Sequence, residues 1–148
     1  MKNLVAGIYK ALKVEHEEIT KVWDSSVRAT HHFISEEYLN YLKPLIKNEY
    51  LSSVQLFTLK DAQGVVLGFI GVDEDKVEML FIHPAAIGKG YGKKLLEFAI
   101  TELKINKVDV NEQNIAAISF YEHMGFKSIG RSPVDGLGKP YPIIHMKL

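Results

Sequence analysis

The feature that most constrains the fold is a glycine-rich loop, residues 87–94, at which the hydrophobic pattern changes its period. Before the loop, residues 77–82 are apolar except at Glu78, which is typical of a strand buried on both faces. After the loop, apolar residues recur at helical spacing. They are Leu95, Leu96, Ala99, Ile100 and Leu103. The chain is therefore predicted to run from a central strand through the loop into a helix.

The loop has the composition of a phosphate-binding site. Gly88, Gly90 and Gly92 alternate with larger residues, and glycines let backbone N–H groups approach a ligand closely. The start of the following helix adds a partial positive charge. A plain glycine turn is the alternative, but alternating glycines combined with lysines exceed what a turn requires. The lysines are Lys89, Lys93 and Lys94.

Two common nucleotide-binding motifs do not fit this loop. A P-loop has four residues between its first glycine and Gly-Lys, followed by Ser or Thr. Here three residues separate Gly88 from Gly92, and Lys94 stands at the hydroxyl position. A Rossmann fingerprint would need a further glycine at the positions of Lys93 or Leu95. Neither motif therefore explains the loop.

The composition excludes several classes of protein. The 148 residues contain no cysteine, which rules out a disulfide scaffold, a thiolate zinc site, an iron–sulfur cluster and a cysteine nucleophile. Lys plus Arg and Asp plus Glu both number 18, which argues against nucleic-acid binding driven by a global positive field. The chain lacks an apolar run long enough to span a membrane. We therefore expect a cytoplasmic protein without nucleic-acid or membrane partners.

The rest of the chain alternates helical and strand patterns. A first strand is predicted at about residues 4–10 and a first helix over residues 14–28. Ser35 is predicted to cap a second helix, which Pro44 should kink or interrupt. Asn114 is predicted to cap a later helix. The predicted order is β-α-α-β-β-β-α-β-α-β-β, which indicates an α+β or α/β domain.

A second motif lies downstream of the glycine loop, in residues 108–126. A predicted strand leads into the pattern Asn-x-x-Ala-x-x-Phe-Tyr, which begins at Asn114 and ends at Tyr121. Gly125 and Phe126 follow directly. The loop and this segment occur in the order and separation of a known pair of motifs.

Together the two motifs resemble the GNAT superfamily of N-acetyltransferases. Gly90-Tyr91-Gly92 matches the end of that family's coenzyme A signature, Gln/Arg-x-x-Gly-x-Gly/Ala, whereas Ile87 replaces its Gln or Arg. Residues 23–33 also resemble an uncharacterised bacterial subgroup. The resemblance implies a single α/β (α+β) domain over residues 1–148, with a mixed, mostly antiparallel sheet of about 6–7 strands and about four flanking helices.

The resemblance also implies the cofactor, acetyl-CoA, and the segments that bind it. In the family, the central strand separates from its neighbour before the loop, and its free backbone groups bind the pantetheine arm and the thioester carbonyl. That role falls to Leu80, Phe81 and Ile82. The pyrophosphate would lie over Gly88, Lys89, Gly90, Tyr91, Gly92 and Lys93.

Acetyl transfer also needs a proton for the departing thiolate. Tyr121 occupies the position of the family's usual general acid, and a phenol with a pKa of about 10 is protonated at neutral pH. The alternative is a core tyrosine on the helix stripe. Asn114 is a candidate for binding the pantetheine amide, although the helix cap alone would explain it.

Two carboxylates are candidates for the general base. Glu78 is a single acid on an otherwise apolar strand, so burial should raise its pKa and suit it to proton abstraction. Asp109 occupies a strand position at which some members of the family carry the catalytic acid. A structural carboxylate or a solvent-exposed charge is the alternative for each.

Two adjacent histidines invite another interpretation. His31 and His32 suggest a metal site, but neighbouring residues point to different faces and no paired ligand at helical spacing accompanies them. Because the region between the first two helices borders the acceptor pocket in the family, one of them is expected to line that pocket.

We therefore expect an acetyl-CoA-dependent N-acetyltransferase that transfers the acetyl group directly in a ternary complex. The acceptor stays open between a small molecule and a protein amine, as does assembly into a homodimer. A non-catalytic acyl-CoA-binding module with the same fold is the alternative, favoured by Ile87 at the usual Gln or Arg position.

Overall fold

A seven-stranded mixed sheet forms the centre of the computed structural model, which describes residues 7–148. The strand order is β1-β2-β3-β4-β5-β7-β6. All neighbouring strands run antiparallel except β4 and β5, which are parallel. The mixed sheet and the central place of β4 are thus confirmed. The strands are β1 (Gly7–Lys10), β2 (Gln55–Lys60), β3 (Val66–Asp73), β4 (Lys76–Ile82), β5 (Lys107–Asn111), β6 (Lys127–Ser132) and β7 (Ile143–Lys147).

The predicted first strand starts at about residue 4, and its first three residues lie outside the described part of the chain. The predicted first helix also differs at its ends, because Lys13–Glu15 form a 3-10 turn and Val14 is 87% exposed. Within residues 7–148 no helix has the length and apolar character needed to cross a bilayer. The α-helices are α1 (His16–Thr30), α2 (Glu36–Leu45), α3 (Tyr91–Glu102) and α4 (Ile115–His123).

The predicted helix caps are confirmed. Ser35 Oγ accepts a hydrogen bond from the Tyr38 backbone N–H at 3.1 Å, and Asn114 Oδ1 accepts one from Ala117 N–H at 3.1 Å. Pro44 lies inside α2, one residue before its end, and does not interrupt it, although proline has no N–H to donate to the preceding turn. The chain stays helical beyond α2, in a π-helical turn over Ile46–Tyr50.

A separate hydrophobic core lies on each face of the sheet. One face packs against α3 and α4, with Leu95, Leu96 and Phe126 almost completely buried. The other face packs against α1 and α2 around Ile19 and Phe69, which are both 0% exposed. Burial of such side chains is the main favourable term in folding.

A β-bulge in β4 places Glu78 at the boundary between these two faces. Val72 pairs with Val77 while the adjacent Gly71 pairs with Met79, so Glu78 is an extra residue without a partner in β3. The bulge reverses the alternation of side chains along the strand. Val77 therefore joins the core under α3 and α4, whereas Met79 joins the core under α1 and α2.

Beyond the bulge, β4 separates from β5. The two strands pair only at Lys76 with Lys107 and at Val77 with Val108. From Met79 to Ile82, the β4 edge that faces β5 has no partner strand, although its other edge still pairs with β3. A wedge therefore opens in the middle of the sheet.

We predict that Gly68→Ala destabilises the protein, because Gly68 packs against the end of β4. A Cβ at this position would lie 2.9 Å from the Phe81 carbonyl oxygen and 2.6 Å from Ile82 Cδ1. Overpacking of this kind costs about 1–3 kcal/mol of unfolding free energy. Urea denaturation measures the change.

Gly7→Ala is the matched control, because a Cβ there meets nothing within 4 Å. It is expected to leave the unfolding free energy undiminished. Equal stability of wild type and Gly68→Ala would contradict the predicted packing against β4.

Candidate active site

The wedge between β4 and β5 forms a cavity of about 520 Å³, here called the wedge cavity. It brings together residues from α1, β4, β5, α3 and α4 that lie far apart in the sequence. Many of the predicted site residues line it. These are His31, Glu78, Leu80, Phe81, Ile82, Gly92, Asp109, Asn114 and Tyr121.

The glycine loop borders the wedge cavity through Ile87 and Gly92. Gly88 and Gly90 have φ values of +84° and +79°, which are left-handed conformations that favour glycine. Gly90 is also the N-cap of α3, so the backbone N–H groups of the first helical turn have no intrahelical acceptor. The segment thus offers free donors at a helix N-terminus, as a phosphate site requires.

The side chains of the loop are less involved than its backbone. Tyr91 packs against the core under α3 and α4, and the Lys93 ammonium lies 3.8 Å from Glu97 Oε1. Neither they nor Gly88, Lys89 and Gly90 line the wedge cavity. Their contact with pyrophosphate therefore stays a prediction.

Tyr121 lies in the wall of the wedge cavity on α4. It is 6% exposed, and its ring meets those of Phe120 and Phe126 edge-on at 5.1 and 5.6 Å. Burial raises the pKa of the phenol above its usual range. The hydroxyl is therefore protonated at neutral pH and can donate a proton within the cavity.

Asn114 and His31 form a polar contact across the wedge cavity. Asn114 uses its Oδ1 for the helix cap, and its Nδ2 lies 3.2 Å from His31 Nε2. His31 packs against Phe33 and Phe81, and burial, with a smaller contribution from the neighbouring His32, lowers the pKa of its imidazole to about 4. His31 is therefore neutral at physiological pH. His32 is exposed and lines neither this cavity nor the second one.

A second cavity of about 550 Å³, here called the tyrosine cavity, opens on the α2 side of β4. Tyr38 joins two of its walls, because its hydroxyl donates to Asp135 Oδ2 at 2.5 Å and its ring stacks on Tyr141 at 5.2 Å. Among its lining residues are three carboxylates and no Lys, Arg or His. The carboxylates are Asp73, Glu78 and Asp135.

Sequence reasoning did not identify this second cavity. Tyr38 and Asp135 are 97 residues apart, and Asp135 lies in the loop between β6 and β7, which had no recognisable motif. The only local signal was the run of tyrosines on α2, which is equally compatible with a core position. His31, one of the two histidines of which one is expected to line the acceptor pocket, lines the wedge cavity; its contact with an acceptor stays a prediction.

Glu78 lies where the two cavities meet, since it lines both together with Met79 and Phe81. Partial burial raises the pKa of its carboxyl, the Lys76 ammonium lowers it, and the charges of Asp109 and Asp73 raise it further. The net effect is a pKa above the ordinary value. Glu78 is thus a better proton acceptor than a fully solvated glutamate.

Asp109 has the opposite electrostatic character. Burial would raise the pKa of its carboxyl, but hydrogen bonds from His145 and Lys76 outweigh burial and lower it. His145 Nδ1 lies 2.7 Å from Asp109 Oδ1, and Lys76 Nζ lies 2.9 Å from Oδ2. With both oxygens engaged, Asp109 is the weaker candidate for a general base.

Comparison with known proteins identifies the family. The family described as "Acetyltransferase (GNAT) domain" matches residues 14–146. The chain belongs to the GNAT acetyltransferases. It is 38% identical to the peptidyl-lysine N-acetyltransferase YjaB of Salmonella typhimurium, and the alignment covers 97% of this chain and 98% of that relative.

Solved structures agree with this assignment. The solution structure of apo-form YjaB from Escherichia coli has a TM-score of 0.89 at 37% identity, with 97% of each chain covered. The PaiA N-acetyltransferase of Thermoplasma acidophilum, solved in complex with coenzyme A, has a TM-score of 0.73 at 25% identity, covering 98% of this chain and 100% of that one. The predicted GNAT fold, N-acetyltransferase activity and use of acetyl-CoA are therefore confirmed.

We predict that His31 makes the stability of this GNAT domain fall in acid. Below about pH 6.5 the unfolded chain binds a proton on this imidazole, whereas the folded chain excludes it until about pH 4. The unfolding free energy should therefore decline as the pH falls through this window. His31→Gln should show a shallower decline, measured by urea denaturation at several pH values.

The internal control is the range above pH 7, where His31 is neutral in both the folded and the unfolded state. There the two proteins should show the same dependence of unfolding free energy on pH. Parallel curves throughout the acid window would contradict the prediction, as would an NMR titration of the His31 ring with an ordinary midpoint.

Proposed function

We propose that this GNAT acetyltransferase acetylates the ε-amine of lysine side chains in peptides or proteins. One observation carries the proposal: the wedge cavity and the tyrosine cavity meet at Glu78, and the second of them combines carboxylates with apolar walls. The name of the relative YjaB, a peptidyl-lysine N-acetyltransferase, supports the same acceptor class.

The tyrosine cavity fits the two-part chemistry of a lysine side chain. Trp23, Leu42 and Ile46 provide apolar surface for the aliphatic stem. The carboxylates of the cavity would attract the ammonium group, and its lining residues include no cation to repel it. The same charges would disfavour a free amino acid, whose α-carboxylate would enter with the amine.

The acetyl donor would lie in the wedge cavity. The unpaired β4 edge at Leu80, Phe81 and Ile82 offers backbone groups to the pantetheine arm and the thioester oxygen. The N–H groups at residues 88–93 would receive the pyrophosphate. Bound acetyl-CoA supplies the thioester carbonyl that the amine attacks.

Two side chains would move protons during the transfer. Glu78 accepts the proton that the lysine ammonium must lose before its nitrogen can attack the carbonyl. As the C–N bond forms and the C–S bond breaks, the nitrogen releases its second proton to solvent, and the departing thiolate receives the proton of the Tyr121 hydroxyl. Proton exchange with solvent then restores Glu78 and Tyr121. Transfer is direct, because the chain has no cysteine to form an acyl-enzyme.

The non-catalytic alternative rested on Ile87. This residue is 52% exposed and borders the wedge cavity, while Gly88 and Gly90 keep the backbone geometry of the loop. Because those N–H groups supply much of the phosphate binding, Ile87 gives only slight support to a non-catalytic module. The comparisons with named acetyltransferases favour the enzyme. The cytoplasmic location, the absence of nucleic-acid binding and a homodimer stay predictions.

Acceptor choice can be tested with two peptides that differ only at the N-terminus and at the lysine position. One carries a blocked N-terminus and a free lysine, and the other a free N-terminus with norleucine in place of lysine. We expect acetyl-CoA-dependent acetylation of the first peptide only, because its amine has the aliphatic stem that the tyrosine cavity fits. Mass spectrometry measures the product, and a thiol reagent measures released coenzyme A without background from the cysteine-free enzyme.

A small polyamine and free lysine extend the comparison. Higher kcat/KM for either of them than for the lysine peptide would contradict a peptidyl acceptor. Acetylation of the norleucine peptide alone would instead indicate an α-amine acetyltransferase.

We predict that Tyr121→Phe lowers kcat by about 10²-fold or more, because general acid catalysis is typically worth about 10²–10⁴-fold. The phenylalanine retains the ring contacts with Phe120 and Phe126, so the KM for acetyl-CoA and the melting temperature should change little. Steady-state kinetics with the lysine peptide measure the effect.

Tyr41→Phe is the matched control, since Tyr41 is 55% exposed and lines neither cavity. It should retain wild-type kcat. An unchanged kcat in Tyr121→Phe would rule out Tyr121 as the proton donor.

A further inference from the structure

The Lys76 ammonium lies between two carboxylates and is shared unequally. Its Nζ is 2.9 Å from Asp109 Oδ2 but 4.0 Å from Glu78 Oε1. The side chains of Lys76, Asp109 and Glu78 are all partly exposed, by 34%, 29% and 37%. The lysine is thus bonded to Asp109. Glu78, two residues further along β4, is a second carboxylate within its reach.

Asp109 is itself held in place from the neighbouring strand. Asp109 on β5 and His145 on β7 are register partners, and the His145 Nδ1–Asp109 Oδ1 distance is 2.7 Å. An ionised carboxylate only accepts hydrogen bonds, so His145 Nδ1 carries the hydrogen and donates it. On the other side of the ring, His145 Nε2 lies 2.7 Å from Ser132 Oγ on β6.

These four side chains, Ser132, His145, Asp109 and Lys76, are here called the polar row. The first three follow the order of a hydrolase triad. However, neither Ser132 nor His145 lines the wedge cavity or the tyrosine cavity, so the hydroxyl has no enclosed site for an ester. Instead, the polar row ends at Lys76, whose ammonium lies 4.0 Å from Glu78 Oε1.

We propose that Asp109 is a positioning residue that holds the Lys76 ammonium away from Glu78, so that Glu78 remains basic enough to accept the proton of the substrate amine. The inference rests on the proposed function, in which Glu78 is the base. Without Asp109, the closest anionic partner of Lys76 is Glu78. A contact shortened from 4.0 Å would strengthen the attraction, because Coulomb energy rises as distance falls.

Other titratable groups also face Glu78. From the sheet come Lys76 on its own strand, Asp109 on β5 and Asp73 at the end of β3. Across the two cavities lie His31, Tyr121, Tyr38, Tyr50 and Asp135. Burial lowers the pKa of His31 and raises the pKa values of Tyr38, Tyr50 and Tyr121. All four side chains are therefore neutral near pH 7. Lys76 is therefore the cation in this set, and its position controls the basicity of Glu78.

The test is the pH dependence of kcat/KM with the lysine peptide, in which the acid limb reports protonation of the base. Asp109→Asn should move this limb to lower pH by roughly half a unit or more, because Lys76 turns to Glu78 and the repelling charge of Asp109 is lost. Lys76→Met should move the limb to higher pH, because the cation that favours ionised Glu78 is lost.

The double variant Lys76→Met/Asp109→Asn separates positioning from the direct effect of charge. If Asp109 acts through Lys76, the shift caused by Asp109→Asn should shrink markedly in the Lys76→Met background. Additive shifts would overturn the proposal, as would a limb that Asp109→Asn leaves in place or raises.

Two further variants control for structural effects. Lys107 is the register partner of Lys76, but the Lys107 ammonium pairs with Asp75 at 3.2 Å. Lys107→Met should therefore leave the acid limb unchanged. His145→Ala removes the hydrogen bond that holds Asp109 in place, while Asp109 keeps its charge and its contact with Lys76. The acid limb should therefore move in the same direction as in Asp109→Asn, but by less. His145→Ala serves as the readout if Asp109→Asn fails to fold, and an unshifted limb in it would count against the proposal.

Glu78→Gln distinguishes this inference from the function beneath it. The variant should lose both the acid limb and most of kcat. If it keeps both, Glu78 is not the base, and the proposed mechanism fails together with the role of Asp109. If it loses both while the other variants show additive shifts, only the role of Asp109 fails.

Discussion

One extra residue in the central strand underlies the whole arrangement of the site. The bulge at Glu78 reverses the side-chain alternation of β4, so that Val77 and Met79 enter different cores. Directly after it, β4 loses its pairing with β5 and the sheet opens into the wedge cavity. A regular strand could not place one carboxylate between two cavities and leave its own backbone edge free for a ligand.

The two cavities differ in chemistry because different elements build them. The walls of the wedge cavity come from β4, β5, α1, α3 and α4, with the β4 edge supplying backbone groups and α4 the buried Tyr121. The tyrosine cavity takes its walls from α2 and the loop between β6 and β7, joined by the hydrogen bond from Tyr38 to Asp135. In the proposed function, the first would hold the thioester and the second the cationic side chain of the acceptor, with Glu78 at their junction.

The carboxylates show how much residue type alone predicts about a site. Glu78 and Asp109 both qualified as bases in the sequence, since each is an acid on a predicted strand. Their neighbours separate them: His145 and Lys76 lower the pKa of Asp109, while burial and nearby acids raise that of Glu78. These neighbours come from other strands, so the register of β5 with β7 and of β4 with β5 had to be known first.

The sequence by itself determined the features that depend on local chemistry. The change of period at the glycine loop, the caps at Ser35 and Asn114 and the order of the elements all follow from neighbouring residues, because backbone preferences and side-chain caps act over a few positions. Only the tertiary structure decided the bulge at Glu78, the contact of Asn114 with His31 and the second cavity. These depend on strand register and on packing between distant segments, in which a shift of one residue turns every side chain to the other face.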